Sequence, residues 1–351
     1  MTVAPPASEQ PLPEDMLDFL RELGLVRSDA PPPPSRPLTG GVSSDIWLIA
    51  FPTRPICIKR ALPALKVKAD WRVPVERSRY EYAWLQHAAA ILPDAVPPLI
   101  GQSCDGRMFA TAYLDPKDAP LWKAQLLRGH IDAQFAAAVG DALGRIHARS
   151  AGDAAIAAQF ATDSLFHALR LEPYLLATAE QYPELARSLK TLAETTANHR
   201  LALVHGDVSP KNILIGPRGP TFLDAECAWY GDPAFDLSFC LNHLLLKRLP
   251  LPHLAAPLRA AFEALKNAHF RHVRWESRTG FEERCAALLP GLFLARIDGK
   301  SPVEYVTDEA DREAVRRYAR AALTRAPKRL SEIADGWFGT SSHAQRQPDH
   351  D

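Results

Sequence analysis

The sequence predicts an α+β chain, with strands gathered in its front part and helices filling most of the rest. Three observations carry this reading. Short apolar runs at 55–59, 95–100 and 107–114 are bounded by turn residues, which is how strands read. From residue 121 onward apolar residues recur at helical spacing, as in Phe135, Val139, Leu143 and Ile146, the stripe of a helix buried on one face. Set among those helices, residues 201–224 read as strand, polar loop, strand, turn, strand and carboxylate. The run 201–204 delivers His205-Gly206-Asp207, a second run begins at Asn212, a Gly/Pro turn spans 216–220, and 221–223 leads into Asp224-Ala225-Glu226. The result is a hairpin with acids at its open end.

Composition narrows the function. A chain of 351 residues has room for one large or two modest domains and a substantial core. Its 41 lysines and arginines equal its 41 aspartates and glutamates, so no basic footprint for nucleic acid is expected. The five cysteines are scattered, with no CxxC pair, which suits buried thiols in a reducing compartment better than disulfides or zinc. There is no basic-then-apolar leader at the start and no apolar run of the ~18–20 residues that cross a bilayer. The expectation is a soluble, cytoplasmic protein with no membrane partner.

Taken in order, residues 1–12 are polar and Pro-rich and expected to be loose. Met16, Leu17, Phe19, Leu20 and Leu23 fall at helical spacing within 13–25, ahead of Gly24, which predicts a short amphipathic helix. Prolines 31–34 make a stiff connector. Between two strand-like segments in 38–51 lie Gly40, Gly41, Ser43 and Ser44. Glycines let backbone N–H groups approach phosphates and serines add donors; the same residues also make an ordinary hairpin turn. The strand at 55–59 ends in Lys59, and a helix is predicted at 75–91 with two acids near its start, Glu76 and Glu81.

Strands at 95–100 and 107–114 flank a turn at 102–106. Helices follow at 121–129 and at 131–150, the latter capped by Asp132. His147 reads as a packed or capping histidine. Residues up to 199 form two or three helices broken at Pro173 and Pro183. Further helices are predicted at 236–247 (starting at Asp236), 254–274, 278–294 and 308–326, before a disordered tail at 340–351. No internal repeat is present.

The chemistry that suits the hairpin is phosphoryl transfer. A carboxylate at Asp207 can orient a hydroxyl and accept its proton, while Asn212 and Asp224 offer hard oxygens to magnesium. The spacing His-x-Asp-x4-Asn followed by an Asp at a strand end is the catalytic-loop pattern of kinases. In its His-Gly-Asp form, followed by Gly231-Asp232-Pro233-Ala234-Phe235-Asp236-Leu237, it resembles the aminoglycoside phosphotransferase superfamily, which includes choline kinase and 5-methylthioribose kinase.

The resemblance covers roughly residues 38–245 by ordered motifs. It implies a two-lobed, protein-kinase-like fold: an extension at 1–37, a small antiparallel-sheet N-lobe at 38–112 and a larger, mainly helical C-lobe at 113–339. It implies ATP and Mg2+ as cofactors. Lys59 matches the lysine that holds the α- and β-phosphates, with Glu81 preferred to Glu76 as its partner. One reason is that Arg77-x-Arg79-x-Glu81 is similar to the pattern of 5-methylthioribose kinase. Ala112-Tyr113-Leu114 matches the hinge whose backbone bonds adenine. Asp207 matches the catalytic base, and Asn212 and Asp224 the metal ligands. Glu226, in an Asp-x-Glu similar to that of 5-methylthioribose kinase, is either a further ligand or structural. His205 and Asp236 brace the loop. Lys211 reads as a surface lysine, with a contact to the γ-phosphate as the alternative.

For the acceptor, Asn242-His243 resembles an Asn-His pair in choline kinase, and Arg296 lies near a polar turn at Gly299. No cluster of acids awaits a polycationic antibiotic. The expected function is ATP-dependent phosphorylation of a hydroxyl on a small polar metabolite. The alternatives are 5-methylthioribose kinase, aminoglycoside phosphotransferase, and an inactive nucleotide-binding module. Protein kinase activity is disfavoured because no Ala-Pro-Glu segment follows Asp224.

Overall fold

A five-stranded antiparallel sheet forms the first of two units in the computed structural model, which describes residues 11–38, 43–63 and 74–339. The units divide as Met1–Asp118 and Ala119–Asp351. Gly40, Gly41 and the segment 340–351 lie outside the described residues.

In the first unit, helix α1 (Glu14–Glu22) ends ahead of Gly24, whose φ of 68° is a backbone state that glycine adopts without strain. Its apolar stripe of Met16, Phe19 and Leu20 is almost completely buried against Trp47, Ile49, Ile56 and Ile58 of the sheet. The strands are β1 (Ser35–Leu38), β2 (Ser44–Ile49), β3 (Ile56–Ala61), β4 (Leu99–Gln102) and β5 (Met108–Ala112), in spatial order β1-β2-β3-β5-β4. The strand expected at 95–100 starts only at Leu99. Residues Pro93–Ala95 form a short 3-10 turn instead, and Pro97 and Pro98 supply no N–H to a ladder. Helix α2 (Arg77–Ile91) joins β3 to this region and buries Glu81, Trp84 and Leu85.

The second unit is mainly helical. It begins with α3 (Trp122–Leu127), α4 (Ala133–Ser150), α5 (Ala154–Gln159) and α6 (Asp163–Phe166). As expected, the Asp132 side chain caps α4, accepting from Gln134 N–H at 2.8 Å. Pro173 does not break the chain: it sits inside a π-helical stretch, His167–Leu176, that runs directly into α7 (Ala177–Gln181). The wider π turn accommodates a residue that cannot donate a backbone hydrogen bond. Pro183 does separate α7 from α8 (Ala186–Asn198).

Four short strands follow: β6 (Ala202–Val204), β7 (Ile213–Gly216), β8 (Gly219–Phe222) and β9 (Trp229–Gly231). β7 and β8 pair as the expected hairpin, but β6 pairs with β9, a strand the sequence reading did not contain. Helix α9 (Pro233–Lys247) begins three residues earlier than expected. Asp232 caps it by accepting from Ala234 N–H at 3.0 Å, with Pro233 at the first position, the usual place for proline. All fifteen residues of α9 are buried, so it is the central helix of the unit.

Around α9 lie α10 (Ala255–Phe270), α11 (Arg278–Asp298) and α13 (Leu330–Phe338), and α12 (Glu309–Arg325) packs on α11. Helices α4 and α10 approach closely at Gly140, where a Cβ would lie 2.1 Å from the Leu265 carbonyl oxygen. Helix α11 continues past the expected end at 294 to Asp298. The five cysteines are unpaired; Cys227, Cys240 and Cys285 are buried, whereas Cys104, in the β4–β5 turn, is exposed. Among the described residues no helix is long and apolar enough to cross a membrane.

Candidate active site

β6 carries His205-Gly206-Asp207 to its end, and α9 fixes the loop from below. Asp236, fully buried, accepts from His205 N–H at 2.7 Å and Gly206 N–H at 2.8 Å, one bond to each carboxylate oxygen. His147 Nε2 lies 3.2 Å from Asp236 Oδ2, and its Nδ1 lies 3.0 Å from His269 Nε2. His147 is therefore part of a buried polar relay, not merely packed. Gly206 is required here: its φ is 79°, and a Cβ would meet the Cys227 carbonyl oxygen at 2.5 Å. His205 accepts from Asp207 N–H through Nδ1 at 3.1 Å and places Nε2 3.1 Å from the Leu223 carbonyl, so Nε2 carries the hydrogen. Burial lowers its pKa against the pull of Asp236, Asp207 and Asp224, which keeps the ring neutral.

The Asp236 bonds make a testable statement about stability. Asp236→Asn puts an amide NH2 where only acceptors fit, leaving a buried donor opposed or unpaired, which costs about 1–3 kcal/mol. Urea denaturation should show that loss; an unchanged midpoint would mean the loop is held by other contacts.

Asp207 is itself buried, 3% exposed. Its Oδ2 lies 3.0 Å from Arg170 Nη2 and 3.1 Å from Lys211 Nζ. Its Oδ1 is buried and has no hydrogen-bond partner among the described residues. Burial works to raise this carboxyl, but Lys211 and Arg170 outweigh it and hold the pKa below the ordinary aspartate value. The group is a carboxylate at neutral pH with one oxygen neutralised and the other available to a hydroxyl. Lys211 lies at the surface as expected, its side chain half-exposed, and is in addition a partner of Asp207. Arg170 was missed altogether. It lies in the π-helical stretch and also bonds the Gly206 and Leu169 carbonyls. A lone arginine within the apolar run Ala168-Leu169-Arg170-Leu171 was the available signal.

Asn212 closes the loop: its Nδ2 donates to the Asp207 carbonyl at 3.1 Å, and its own carbonyl accepts from Leu223 N–H at 2.9 Å. That bond engages the side-chain nitrogen and leaves the side-chain oxygen as the end of the amide that can accept or ligate. Asp224, just past β8, has φ 67°, an uncommon state for a residue other than glycine and one that aspartate tolerates. Such outliers persist where surrounding structure holds them, often at functional sites. Asp224 and Glu226 are both half-buried. Among the described residues no three His, Cys, Asp or Glu side chains converge to hold an ion by themselves. An amide oxygen and a carboxylate fit magnesium, which keeps waters and phosphate oxygens in its shell.

In the first unit, Lys59 Nζ lies 2.8 and 2.7 Å from the two oxygens of Glu81, both side chains largely buried; Glu76 is exposed. Arg77 holds the neighbouring loops, donating to the carbonyls of Pro74 at 2.9 Å, Leu62 at 2.7 Å and Ser43. Ser43 and Ser44 are buried at the start of β2. The N–H groups of Ala112 and Tyr113 are taken by Pro98 and Pro55 carbonyls, so of the three expected hinge residues only Leu114 has an N–H with no backbone partner among the described residues.

Asn242, His243 and Arg296 all lie in the second unit and are buried. Arg296 is not on a loop: it occupies the last turn of α11 and donates to Tyr174 Oη at 3.2 Å, Ser301 Oγ at 3.0 Å and the Ser301 carbonyl. The helix runs past it because the polar residues that suggested a turn find partners on neighbouring elements. Asp298 accepts from Tyr182 Oη at 2.6 Å and from Arg316, and Lys300 reaches Glu172.

The chain belongs to the family described as Phosphotransferase enzyme family, whose sequence model matches residues 34–275. Among curated proteins it is similar to the methylthioribose kinase of Pectobacterium atrosepticum, 26% identical over 262 residues, covering 66% of this chain and 64% of that one. It is also 26% identical over 251 residues to the methylthioribose kinase of Erwinia tasmaniensis, covering 63% and 62%. The chain thus spans a little under two thirds of the length of these relatives. Among solved structures it is similar to macrolide 2'-phosphotransferase MphH from Brachybacterium faecium, at TM-score 0.49 and 20% identity over 90% of this chain and 100% of that one.

Proposed function

We propose that this protein is an ATP-dependent kinase that phosphorylates a hydroxyl group of a small polar molecule. The observation that supports it most is the asymmetry of Asp207: Oδ2 is clamped by two cations, while Oδ1 is buried and unpartnered. A buried carboxylate oxygen without a partner is costly unless something donates to it, and an acceptor hydroxyl is the donor this chemistry needs. In a loose phosphoryl-transfer transition state the attacking oxygen is only weakly bonded. Asp207 then acts mostly by orienting the hydroxyl, and takes its proton late, as suits a carboxylate of lowered pKa.

Asn212 and Asp224 are the residues that would hold Mg2+, which when bound neutralises charge on the transferring phosphates. Lys59, steadied by Glu81, is proposed to hold the nucleotide phosphates, with Gly40, Gly41, Ser43 and Ser44 as their backbone and hydroxyl donors. The Leu114 N–H is the hinge donor for the base. His205 and Asp236 position the loop.

The acceptor is tested by ADP release in the presence of a panel of sugars, amino alcohols and aminoglycosides, each against an acceptor-free control. A second reading, 5-methylthioribose kinase, is favoured by Arg77-x-Arg79-x-Glu81, by Asp224-x-Glu226 and by the 26% identity to methylthioribose kinases. Methylthioribose belongs in the same panel; turnover on it well above all others would establish that reading.

A further inference from the structure

The central helix of the second unit carries polar groups that the phosphoryl-transfer machinery does not use. Phe239, His243 and Lys247 are spaced four apart along α9 and so share one face. Lys247 is completely buried, and its ammonium has no hydrogen-bond partner among the described residues. Its Nζ sits 3.7 Å from the centroid of the Tyr305 ring. An aromatic face offsets only part of the cost of burying an ammonium. The Tyr305 hydroxyl, both amide atoms of Asn242, His243 Nε2 and Arg296 Nε are likewise buried and unpartnered. Native proteins leave few such atoms, and six of those among the described residues lie on α9, at the end of α11 and in the segment just beyond it.

The cluster adjoins Asp207. The ring of Tyr174 lies 5.9 Å from the Arg170 guanidinium carbon and 5.7 Å from that of Arg296, and Arg170 is the clamp on Asp207. Tyr174 also packs edge-on against Phe239, which packs on His243. The local charge is positive: Lys123 pairs with Glu304, while Lys247 and Arg296 have no carboxylate partner among the described residues. Consistent with this, burial, then repulsion from Lys123 and Arg296 against the pull of Glu304, lowers the Lys247 pKa to about 7. Burial, Arg296, Lys247, Lys211 and Lys123 hold His243 well below its ordinary value.

We propose that Asn242, His243, Lys247, Arg296 and Tyr305 form an anion subsite that takes a carboxylate or phosphate group of the acceptor while its hydroxyl meets Asp207. This rests on the kinase reading and narrows it: the substrate carries negative charge, and polycationic acceptors are repelled. Both anionic groups offer the acceptor oxygens that an ammonium, a guanidinium, an amide and a phenol can share.

The test uses the full chain with ADP and Mg2+ bound, so that the nucleotide phosphates occupy their own place. Sodium acetate, sulfate and phosphate are titrated against sodium chloride at equal ionic strength, reading the melting temperature. At least one anion should raise it in the parent, and Lys247→Met should lose that shift while binding ADP as before. Methionine fills the space of the buried lysine without its charge, so the variant itself should melt higher. Lys123→Gln, at the edge of the cluster, serves as a second variant and should weaken the shift.

In turnover, neutral, carboxylate and phosphate forms of one carbon skeleton (glycerol, glycerate and glycerol 3-phosphate; ribose and ribose 5-phosphate) are compared with choline and kanamycin. An anionic form should exceed its neutral twin at least ~10-fold in kcat/KM, with Lys247→Met removing that advantage through the acceptor KM, as loss of a buried charge partner does. Which form wins separates carboxylate from phosphate. Anion shifts equal in parent and Lys247→Met, or neutral or cationic acceptors used as well as anionic ones, would overturn the proposal. If Mg·ADP does not bind at all, the kinase reading falls. The anion titration on the nucleotide-free chain then still decides the subsite, by the same loss or retention in Lys247→Met.

Discussion

Asp207→Asn is expected to lower turnover by ~10²–10⁴-fold, the usual contribution of a positioned proton acceptor, while nucleotide binding survives. The amide is nearly isosteric, so the buried space is kept. What is lost is the charge that Arg170 and Lys211 balance at 3.0 and 3.1 Å, and the oxygen that would accept the hydroxyl proton. The same geometry fixes the pH dependence. Because Arg170 and Lys211 hold the Asp207 pKa below its ordinary value despite burial, protonation of Asp207 should reduce kcat only below pH ~4. The sign is the same for stability: this carboxylate's contribution is present above its unfolded pKa and is lost as pH falls through the folded one. A variant that keeps half the parent rate would remove Asp207 from the chemistry.

The second large effect is expected at Asp224. Its φ of 67° makes alanine a poor probe, because loss of charge would be confounded with backbone strain. Asparagine tolerates that conformation and isolates the charge. Asp224→Asn should abolish the part of ATP affinity that depends on Mg2+, leaving metal-free binding near its parent value. Glu226→Gln should have the smaller effect. Calorimetry with and without Mg2+ reads both. Equal losses in the two variants would make Glu226 a full ligand and strengthen the methylthioribose kinase reading.

How much of this was legible in the sequence depends on how far apart the cooperating residues lie along the chain. His205, Asp207, Asn212 and Asp224 fall within one loop and its hairpin, so spacing alone places them together, and β7 and β8 form as expected. Lys59 and Glu81 were joined by motif order, and the structure pairs them across 22 positions. Arg170 was not legible, because it reaches Gly206 across 36 positions from a π-helical stretch that no periodicity announces. The polar cluster on α9 was only half visible. Asn242, His243 and Arg296 were singled out, but Lys247 and Tyr305 meet through tertiary packing of a helix end and a later segment. The start of α9 was misplaced because two aspartates, Asp232 and Asp236, compete as its cap; proline at 233 decides for the first. That choice frees the Asp236 side chain to bind the loop.

The central claim is that this chain moves a phosphoryl group from ATP to a hydroxyl held at Asp207. Phosphorus NMR on parent protein incubated with ATP, Mg2+ and the acceptor panel reads that transfer directly. The expected result is a new phosphate-ester resonance on one acceptor, growing in step with ADP and absent with Asp207→Asn. The contradicting result is a chain that binds Mg·ATP yet gives no ester with any acceptor, which would make it a nucleotide-binding module instead of a kinase.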